Sequence, residues 1–592
     1  MTRRVMTPIR RPVVAAVTVP GSKSYTNRAL LIAAMTPGVV RINGPLESDD
    51  TRAMLHALGK LGIETCESEG SFVVRGDIRD ITDGDYDLDV DLSGLSLRFL
   101  LALSCVSPGV QTLFGKPGLN KRPVGELVEA LRALGADIEY LEKPGFPPVR
   151  VRSRSLDSGE VSVPGGISSQ YFSALLMIAP RVSGDVCVKV SGKQISRPYV
   201  DMTIGIMREF GVEVENKNFQ SYIVTGPQQY LATTYAVEGD YSSAAYFFAT
   251  AALTYSTITV RNLNPRSAQA DRRLLELLEV MGSEITTSET SVTVTGNGVK
   301  SGSFDMSDCP DQAMTMAVLA AFGQGETVIT GVQSLRIKET ERVEAVEKEL
   351  AKMGIRTKST PDTLTVMGGR PTPAVIDTYG DHRIAMAFAV AGMRIPGIVI
   401  NNPEVASKTF PEFWDRLKDL DASNIVLIGM RGTGKSTIGR LLAKRLGKAI
   451  IDMDSNIVAK VGMSISELVA KRGWEYFRDE ESEVAKLVGA SRNSVIAAGG
   501  GAVLRPQNAA ALGTRGVFVL LTAPISVLAE RIQGDTDRSP LSKQVSVQAE
   551  LSELWGQRKE LYESIADRVV QTQNRTPEEV VTEICARVGG GR

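Results

Sequence analysis

The chain has 592 residues, 43% of them hydrophobic, with 67 basic against 68 acidic side chains and a formal net charge of −1. That length holds about four average domains with ample apolar material for large cores. The near-neutral balance argues against a nucleic-acid or anionic-membrane partner, leaving small anions to local basic clusters. Five widely spaced cysteines and two histidines argue against a disulfide framework and a zinc centre. The opening MTRRVMTPIRRP has arginines but no apolar stretch behind it, and no run reaches the roughly 18 apolar residues of a membrane span, so a soluble cytoplasmic protein is expected.

Over the first 420 residues, amphipathic segments that end in an apolar residue and glycine recur before an alternating strand, as HALGKLGIE, EALRALGADIE, IMREFGVEV, LLEVMGSEI and ELAKMGIRT. Their glycines, Gly62, Gly135, Gly211, Gly282 and Gly354, are spaced 73, 76, 71 and 72 residues apart. Each suits the left-handed position that ends a helix. FWDRLKDLDA at 413–422 reads as an imperfect sixth copy, with Asp421 at the glycine position.

A second helix recurs out of phase with the first: SKSYTNRALLIAAM from Ser22, SGLSLRFLLALSCV from Ser93, SSQYFSALLMIA from Ser168, YSSAAYFFATAAL from Tyr241, PDQAMTMAVLAAF from Pro310 and GDHRIAMAFAVAGM from Gly380. A helix apolar on every side belongs inside a core, with its polar end at the surface. Capping alone does not call for Lys23, Arg28, Arg98, Gln170, Asp311, His382 and Arg383 in the first turns. Six such N-termini facing one cleft would bind a highly anionic substrate.

These repeats, with PGSKSYTNRAL near the start and RIKETER later, resemble 5-enolpyruvylshikimate-3-phosphate (EPSP) synthase over about residues 8–420. The resemblance implies an α/β, two-lobed enolpyruvyl transferase fold of six βαβαββ-type repeats, within a 1–420 domain. One lobe is expected at about 23–238 and the other at about 1–22 plus 239–420. It implies enolpyruvyl transfer from phosphoenolpyruvate to shikimate 3-phosphate, without a cofactor. By position, Lys23, Gly94, Arg122, Gln170, Arg342, Arg383 and Lys408 are expected at phosphoenolpyruvate. Ser24, Arg28, Ser168, Ser169, Gln170, Ser196, Asp311, Ser334 and Lys338 are expected at shikimate 3-phosphate, with Tyr199 nearby. Lys23, Asp311 and Glu339 are the catalytic candidates, Glu339 needing partial desolvation to act as an acid at neutral pH. Leu92, Ser93, Gly94 and Leu95 stand where the family usually reads asparagine, alanine, glycine and threonine. Two leucines remove hydrogen-bonding groups there, so a reshaped pocket with weaker binding of the inhibitor glyphosate is expected. The related transferase that acts on UDP-N-acetylglucosamine carries a cysteine shortly before its arginine-proline pair, whereas GKPGLNKRP has none.

After Lys418 the pattern changes to short apolar strands alternating with amphipathic helices, the mark of a parallel α/β sheet. GMRGTGKS at 429–436 is a complete phosphate-binding loop between NIVLI and a helical segment. With DMD at 452–454, Arg478 in WEYFRDEE, GGG at 499–501 and a lid-like DRSPLS at 537–542, residues 423–592 resemble shikimate kinase. The resemblance implies ATP with Mg²⁺. ATP would meet Gly432, Thr433, Gly434, Lys435, Ser436, Thr437, Arg531 and Arg538; Mg²⁺ would meet Ser436 and Asp452. Shikimate would meet Asp454, Arg478, Gly500 and Arg558, with Lys435, Asp454 and Arg538 in catalytic roles. Another small-molecule kinase, such as a gluconate kinase, and a regulatory nucleotide-binding module remain alternatives. Together the two parts resemble the central portion of the pentafunctional arom polypeptide. The expected partners are small molecules only, with a homo-oligomer possible, and the short junction DLDASN predicts closely packed domains.

Overall fold

The computed structural model describes residues 2–9, 12–152, 155–420, 424–532 and 546–588. Asp421, Arg538 and the segment DRSPLS therefore lie outside the described residues, as do residues 421–423 of the junction.

Among the described residues up to 420 the strands form five four-stranded sheets and one three-stranded sheet. Each four-stranded sheet combines one parallel pair with two antiparallel pairs; Val14–Thr18 runs parallel to Thr257–Arg261, which is antiparallel to Ser291–Thr295. The first strand of the chain's PGSK segment thus belongs with residues beyond 256, and Thr234–Ala236 returns to pair with Val39–Asn43. The chain crosses between the two halves twice, side by side: Ser22 N donates to Glu238 O at 2.8 Å and Asp240 N to Pro20 O at 2.9 Å. Two separate apolar cores result, one from residues between 25 and 235, the other from residues 6–19 and 241–420.

The helix-ending glycines behave as their spacing implies. Gly62, Gly135, Gly211, Gly282 and Gly354 all have φ between 76° and 112°, a region that an L side chain enters only at a cost. The six apolar helices lie at the centre of the cores: α1 (Lys23–Ala34), α2 (Gly94–Ser104), α3 (Ser169–Ile178), α4 (Tyr241–Thr254), α5 (Ala313–Ala320) and α6 (His382–Gly392). All eleven residues of α2 and all eleven of α6 are buried. A helix apolar on every side has no face to turn to solvent.

The C-terminal part is a five-stranded, all-parallel sheet in the spatial order Ala449–Asp452, Ser494–Ala497, Asn424–Ile428, Gly516–Thr522, Arg568–Gln571. Parallel strands require crossover helices on both faces, hence the fully buried pattern of Asn424–Ile428. This domain packs directly on the N-terminal part. Val14 and Ala16 share an apolar cluster with Ile425, Leu427, Val517 and Val519, and Arg261 reaches Gly516 O at 2.9 Å and Asp567 Oδ2 at 2.7 Å. Asp419 accepts from Arg515 Nε at 2.6 Å across the same seam. Among the described residues no helix is long and apolar enough to cross a membrane.

Candidate active sites

All six inner helices present their N-terminal ends to one cleft between the two halves, lined by Lys23 and Ser24, Gly94 and Leu95, Ser169 and Gln170, Ser242 and Ser243, Pro310 and Asp311, and His382 and Arg383. On four of the six helices a side chain caps the N-terminal amides, Ser93 Oγ accepting from Ser96 N on α2. Ser168 Oγ accepts from Gln170 N, Asp240 Oδ2 from Ser243 N, and Asp381 Oδ1 from Arg383 N at 2.8 Å. What faces the cleft is therefore a shell of charged side chains over six partial positive dipoles.

Two carboxylates organise the cations. Asp311 lies 2.9 Å from Arg342 Nη1, 3.0 Å from Arg383 Nη2 and 3.7 Å from Lys338 Nζ. Glu339 lies 2.8 Å from Arg342 Nη2, 3.1 Å from Lys408 Nζ and 3.4 Å from Arg122 Nη1. Burial by itself raises a carboxyl group, but Arg383, Lys338 and Arg342 hold Asp311 below the usual carboxylate range. For Glu339 burial is likewise outweighed by Lys408, Arg342 and Arg122, which hold it well below that range. The partial desolvation expected to make Glu339 an acid is present, yet in this charge environment it does not protonate the group. The halves are drawn together here: Arg122 with Glu339, Lys408 Nζ with Leu92 O at 3.4 Å, and Ser407 Oγ with Asp49 Oδ2 at 2.7 Å all join residues from different cores.

Other expected residues are gathered around this centre. Lys23 Nζ lies 3.0 Å from Asp50 Oδ2. Ser168, Ser196, Tyr199, Ser334 and Lys338 line the cleft. Arg28 also lines it, but its guanidinium is 1% exposed and donates to Thr203 Oγ1, Ser24 O, Ser173 Oγ and Tyr199 O, and burial pushes it down to about 10. Arg98 holds Gln170 Oε1 at 2.6 Å, orienting that amide from behind. Of the two unusual leucines only Leu95 lines the cleft; Leu92 is 38% exposed and contributes its carbonyl. Sequence reasoning did not single out Asp50, which pairs with Lys23 at the start of the helix Asp49–Lys60, where Ser48 is the cap. It also passed over Asp240 and Tyr246, which line the cleft, and Asp381, which anchors Arg342 Nε at 2.7 Å.

A second cleft lies over the parallel sheet. The loop after Asn424–Ile428 leads into α7 (Lys435–Leu446), and Gly429, Gly432 and Gly434 all have positive φ. A Cβ on Gly429 would stand 2.4 Å from Leu521 O, so the loop's tight path needs glycine there. Lys435 Nζ donates to Gly429 O at 2.8 Å and Met430 O at 3.0 Å, holding the ammonium over the loop. Ser436 Oγ donates to Asp452 Oδ2 at 2.6 Å. Gly432, Gly434, Thr437, Asp454, Gly500 and Arg531 line the same cleft, while Thr433 is buried and fastens the loop through Met430 O. Arg478 pairs with buried Glu481 at 2.5 Å and packs near the rings of Trp474 and Phe477; Arg558 donates to Gly500 O at 3.0 Å. Two arginines and a carboxylate, Asp454, thus face the phosphate loop across the cleft.

Comparison with known proteins matches both halves. A family model described as EPSP synthase (3-phosphoshikimate 1-carboxyvinyltransferase) fits residues 8–417, and one described as shikimate kinase fits residues 431–589. The 3-phosphoshikimate 1-carboxyvinyltransferase of Sulfurovum sp. (strain NBC37-1) is 40% identical over 416 residues, 69% of this chain and 96% of that one. That of Vibrio vulnificus (strain YJ016) is 41% identical over 409 residues, 68% of this chain and 96% of its own. An EPSP synthase structure from Acinetobacter baumannii superposes with a TM-score of 0.60 at 25% identity, covering 71% of this chain and 98% of that one. Taken with the two clefts, these matches mean that the chain belongs to the EPSP synthase family over residues 8–417, carries a shikimate kinase domain over residues 431–589, and is a bifunctional enzyme of the shikimate pathway.

Proposed function

We propose that the C-terminal domain acts first, moving the γ-phosphoryl of ATP to the 3-hydroxyl of shikimate, and that the six-helix cleft then receives the product. The observation that carries this reading is the convergence of six helix N-termini with Lys23, Arg122, Lys338, Arg342, Arg383 and Lys408 on one cleft, since shikimate 3-phosphate and phosphoenolpyruvate together bring two phosphates and two carboxylates.

In the transferase, Arg342, Arg383 and Lys408 are assigned to the phosphoenolpyruvate carboxylate, and Lys23, Arg122 and Gln170 to its phosphate. Ser168, Ser169, Ser196 and Lys338 are assigned to the 3-phosphate. Asp311, ionised, is suited to accept the proton of the attacking 5-hydroxyl. The same cations that hold Glu339 ionised would be shared with the incoming carboxylate, which raises Glu339 toward the range where it can deliver a proton to the enol carbon. Phosphate then leaves as the methyl group returns a proton to Glu339, restoring the enol ether, and the proton held by Asp311 passes to the departing phosphate.

In the kinase, Arg478 and Arg558 are assigned to the shikimate carboxylate, Asp454 to the 3-hydroxyl, and Lys435 to the transferring phosphoryl. The hard oxygen donors Ser436 and Asp452, 2.6 Å apart beside the loop, suit Mg²⁺. When bound, that ion would supply positive charge to offset the charge on the transferring phosphoryl. Phosphorylated substrates do not cross membranes unaided, which supports a cytoplasmic site of action.

Supplying shikimate, ATP, Mg²⁺ and phosphoenolpyruvate together is expected to give ADP and inorganic phosphate in equal amounts. ADP without phosphate would overturn the transferase reading, and neither product without added shikimate 3-phosphate would overturn the kinase reading. A Cβ on Gly94 would stand 2.5 Å from Cζ and Nη1 of Arg122. Gly94→Ala should therefore displace that guanidinium and raise KM for phosphoenolpyruvate by about tenfold, a change of about 1.4 kcal/mol. Steady-state kinetics with an unaltered KM would exclude Arg122 as the phosphate anchor.

A further inference from the structure

One buried carboxylate beside the transferase cleft has no part in the chemistry above. Asp271 lies in the 3₁₀ turn Ala270–Arg273 and is 4% exposed. Its Oδ2 accepts a hydrogen bond from Ser242 Oγ, and its Oδ1 is buried with no partner. Ser242 Oγ in turn accepts from Arg383 Nη2 at 3.5 Å, the same nitrogen that stands 3.0 Å from Asp311 Oδ2. A directed chain therefore runs from Arg383 through Ser242 to Asp271, behind the contact between Arg383 and the candidate base. The turn is itself pinned to the start of α4: Gln269 Nε2 donates to Gly239 O at 2.8 Å, and Gln269 Oε1 accepts from Tyr241 N at 3.0 Å.

The arrangement answers a physical problem. Arg383 must stay aimed at a substrate carboxylate while Asp311, its other partner, changes charge during the reaction. A guanidinium held only by Asp311 would follow that change. We propose that Asp271 is a positioning residue of the transferase, which through the Ser242 hydroxyl fixes the Arg383 guanidinium in the orientation that receives the phosphoenolpyruvate carboxylate. The inference rests on the assignment of Arg383 as a carboxylate anchor. Burial raises the Asp271 carboxyl to about 6, Arg383 opposing and Asp311 adding to the rise. Asp240, Tyr246, Tyr199 and Cys309 are the other titratable groups around it.

Initial-rate transferase kinetics on the full-length enzyme test this. Asp271→Ala and Ser242→Ala should each raise KM for phosphoenolpyruvate about tenfold, with kcat within about threefold of the parent and KM for shikimate 3-phosphate unmoved. Asp271→Asn keeps a carbonyl acceptor for the hydroxyl and should recover most of the affinity lost in the alanine variant. An unchanged KM in Asp271→Ala, or an asparagine variant as impaired as the alanine one, overturns the proposal. If Asp271→Ala yields no folded enzyme, Ser242→Ala, at a half-buried position, decides by the same measure. Arg383→Ala separates the two levels. A raised KM in that variant without one in Asp271→Ala or Ser242→Ala refutes the positioning role alone, and an unchanged KM in Arg383→Ala refutes the anchor and the positioning role together.

Discussion

Replacing Lys435 by alanine is expected to lower shikimate phosphorylation by about a thousandfold in kcat while transferase activity stays at the parent level. Phosphoryl transfer leaves little covalent work to the protein, so loss of one preorganised cation at the transferring group removes about 10²–10³ or more of the rate. The ammonium already sits over the loop, 2.8 Å from Gly429 O and 3.0 Å from Met430 O, so it needs only a short swing to meet an outer phosphate. Its removal also loosens a loop whose Gly429, Gly432 and Gly434 all depend on positive φ. The transferase cleft draws its lining from residues 23–409 alone, which is why it should not notice. Shikimate-dependent ADP release and shikimate-3-phosphate-dependent phosphate release, measured on one preparation, check both halves of the statement. Phosphorylation within tenfold of the parent would remove Lys435 from the reaction.

Much of this architecture could be read before any coordinates, for identifiable reasons. Continuous apolar helices such as FLLALS admit no solvent face, so their burial follows from composition alone, and the five glycines mark helix ends because few other residues take left-handed φ cheaply. The charged residues of the site were legible where they occupy the first turns of those helices, since a lysine or arginine has no structural reason to begin a core helix. Legibility failed where meaning lies in contacts between distant segments. Asp50 looks like a cap until Lys23 is found 3.0 Å away, and nothing local to Asp271 points to Ser242. Leu92 and Leu95 looked equivalent, yet only the second is on the buried start of α2, while the first turns outward before the helix begins. No motif surrounds Arg261, yet it reaches Asp567 Oδ2 in the kinase domain at 2.7 Å.

The electrostatic state of the site was only half legible. A cluster of cations predicts lowered carboxyl groups and burial predicts raised ones, and sequence alone does not rank the two. The distances do. With three cationic partners within 4 Å of each of Asp311 and Glu339, attraction wins over desolvation, and the Arg122–Glu339 pair joins the two halves across the cleft.

Arg342→Leu should show how much rests on that network. Arg342 is 1% exposed and bonds three carboxylates at once: Asp381 at 2.7 Å, Glu339 at 2.8 Å and Asp311 at 2.9 Å. Leucine removes the charge and leaves Asp381, with no exposure, facing no guanidinium. Stranding a buried charge costs about 3–5 kcal/mol, more than the packing lost with the arginine stem. Arg342→Lys keeps a point charge but not the planar fork, so it should recover part of the stability and little of the activity. The pH dependence separates charge from packing. Asp311 and Glu339 are depressed in the folded parent, so their contribution is present above the unfolded carboxyl range near 4 and is lost only as pH falls through their lowered folded values. Without Arg342 fewer cations oppose burial and these groups rise toward the unfolded range, so the deficit narrows as pH falls below about 4, where the parent loses the contribution that the variant already lacks. Thermal unfolding of the transferase part should therefore show a large deficit at pH 7 that narrows at about pH 3, with transferase kcat/KM down by about a thousandfold and kinase activity retained. A deficit of equal size at both pH values would mean that packing, not the stranded carboxylates, sets the cost.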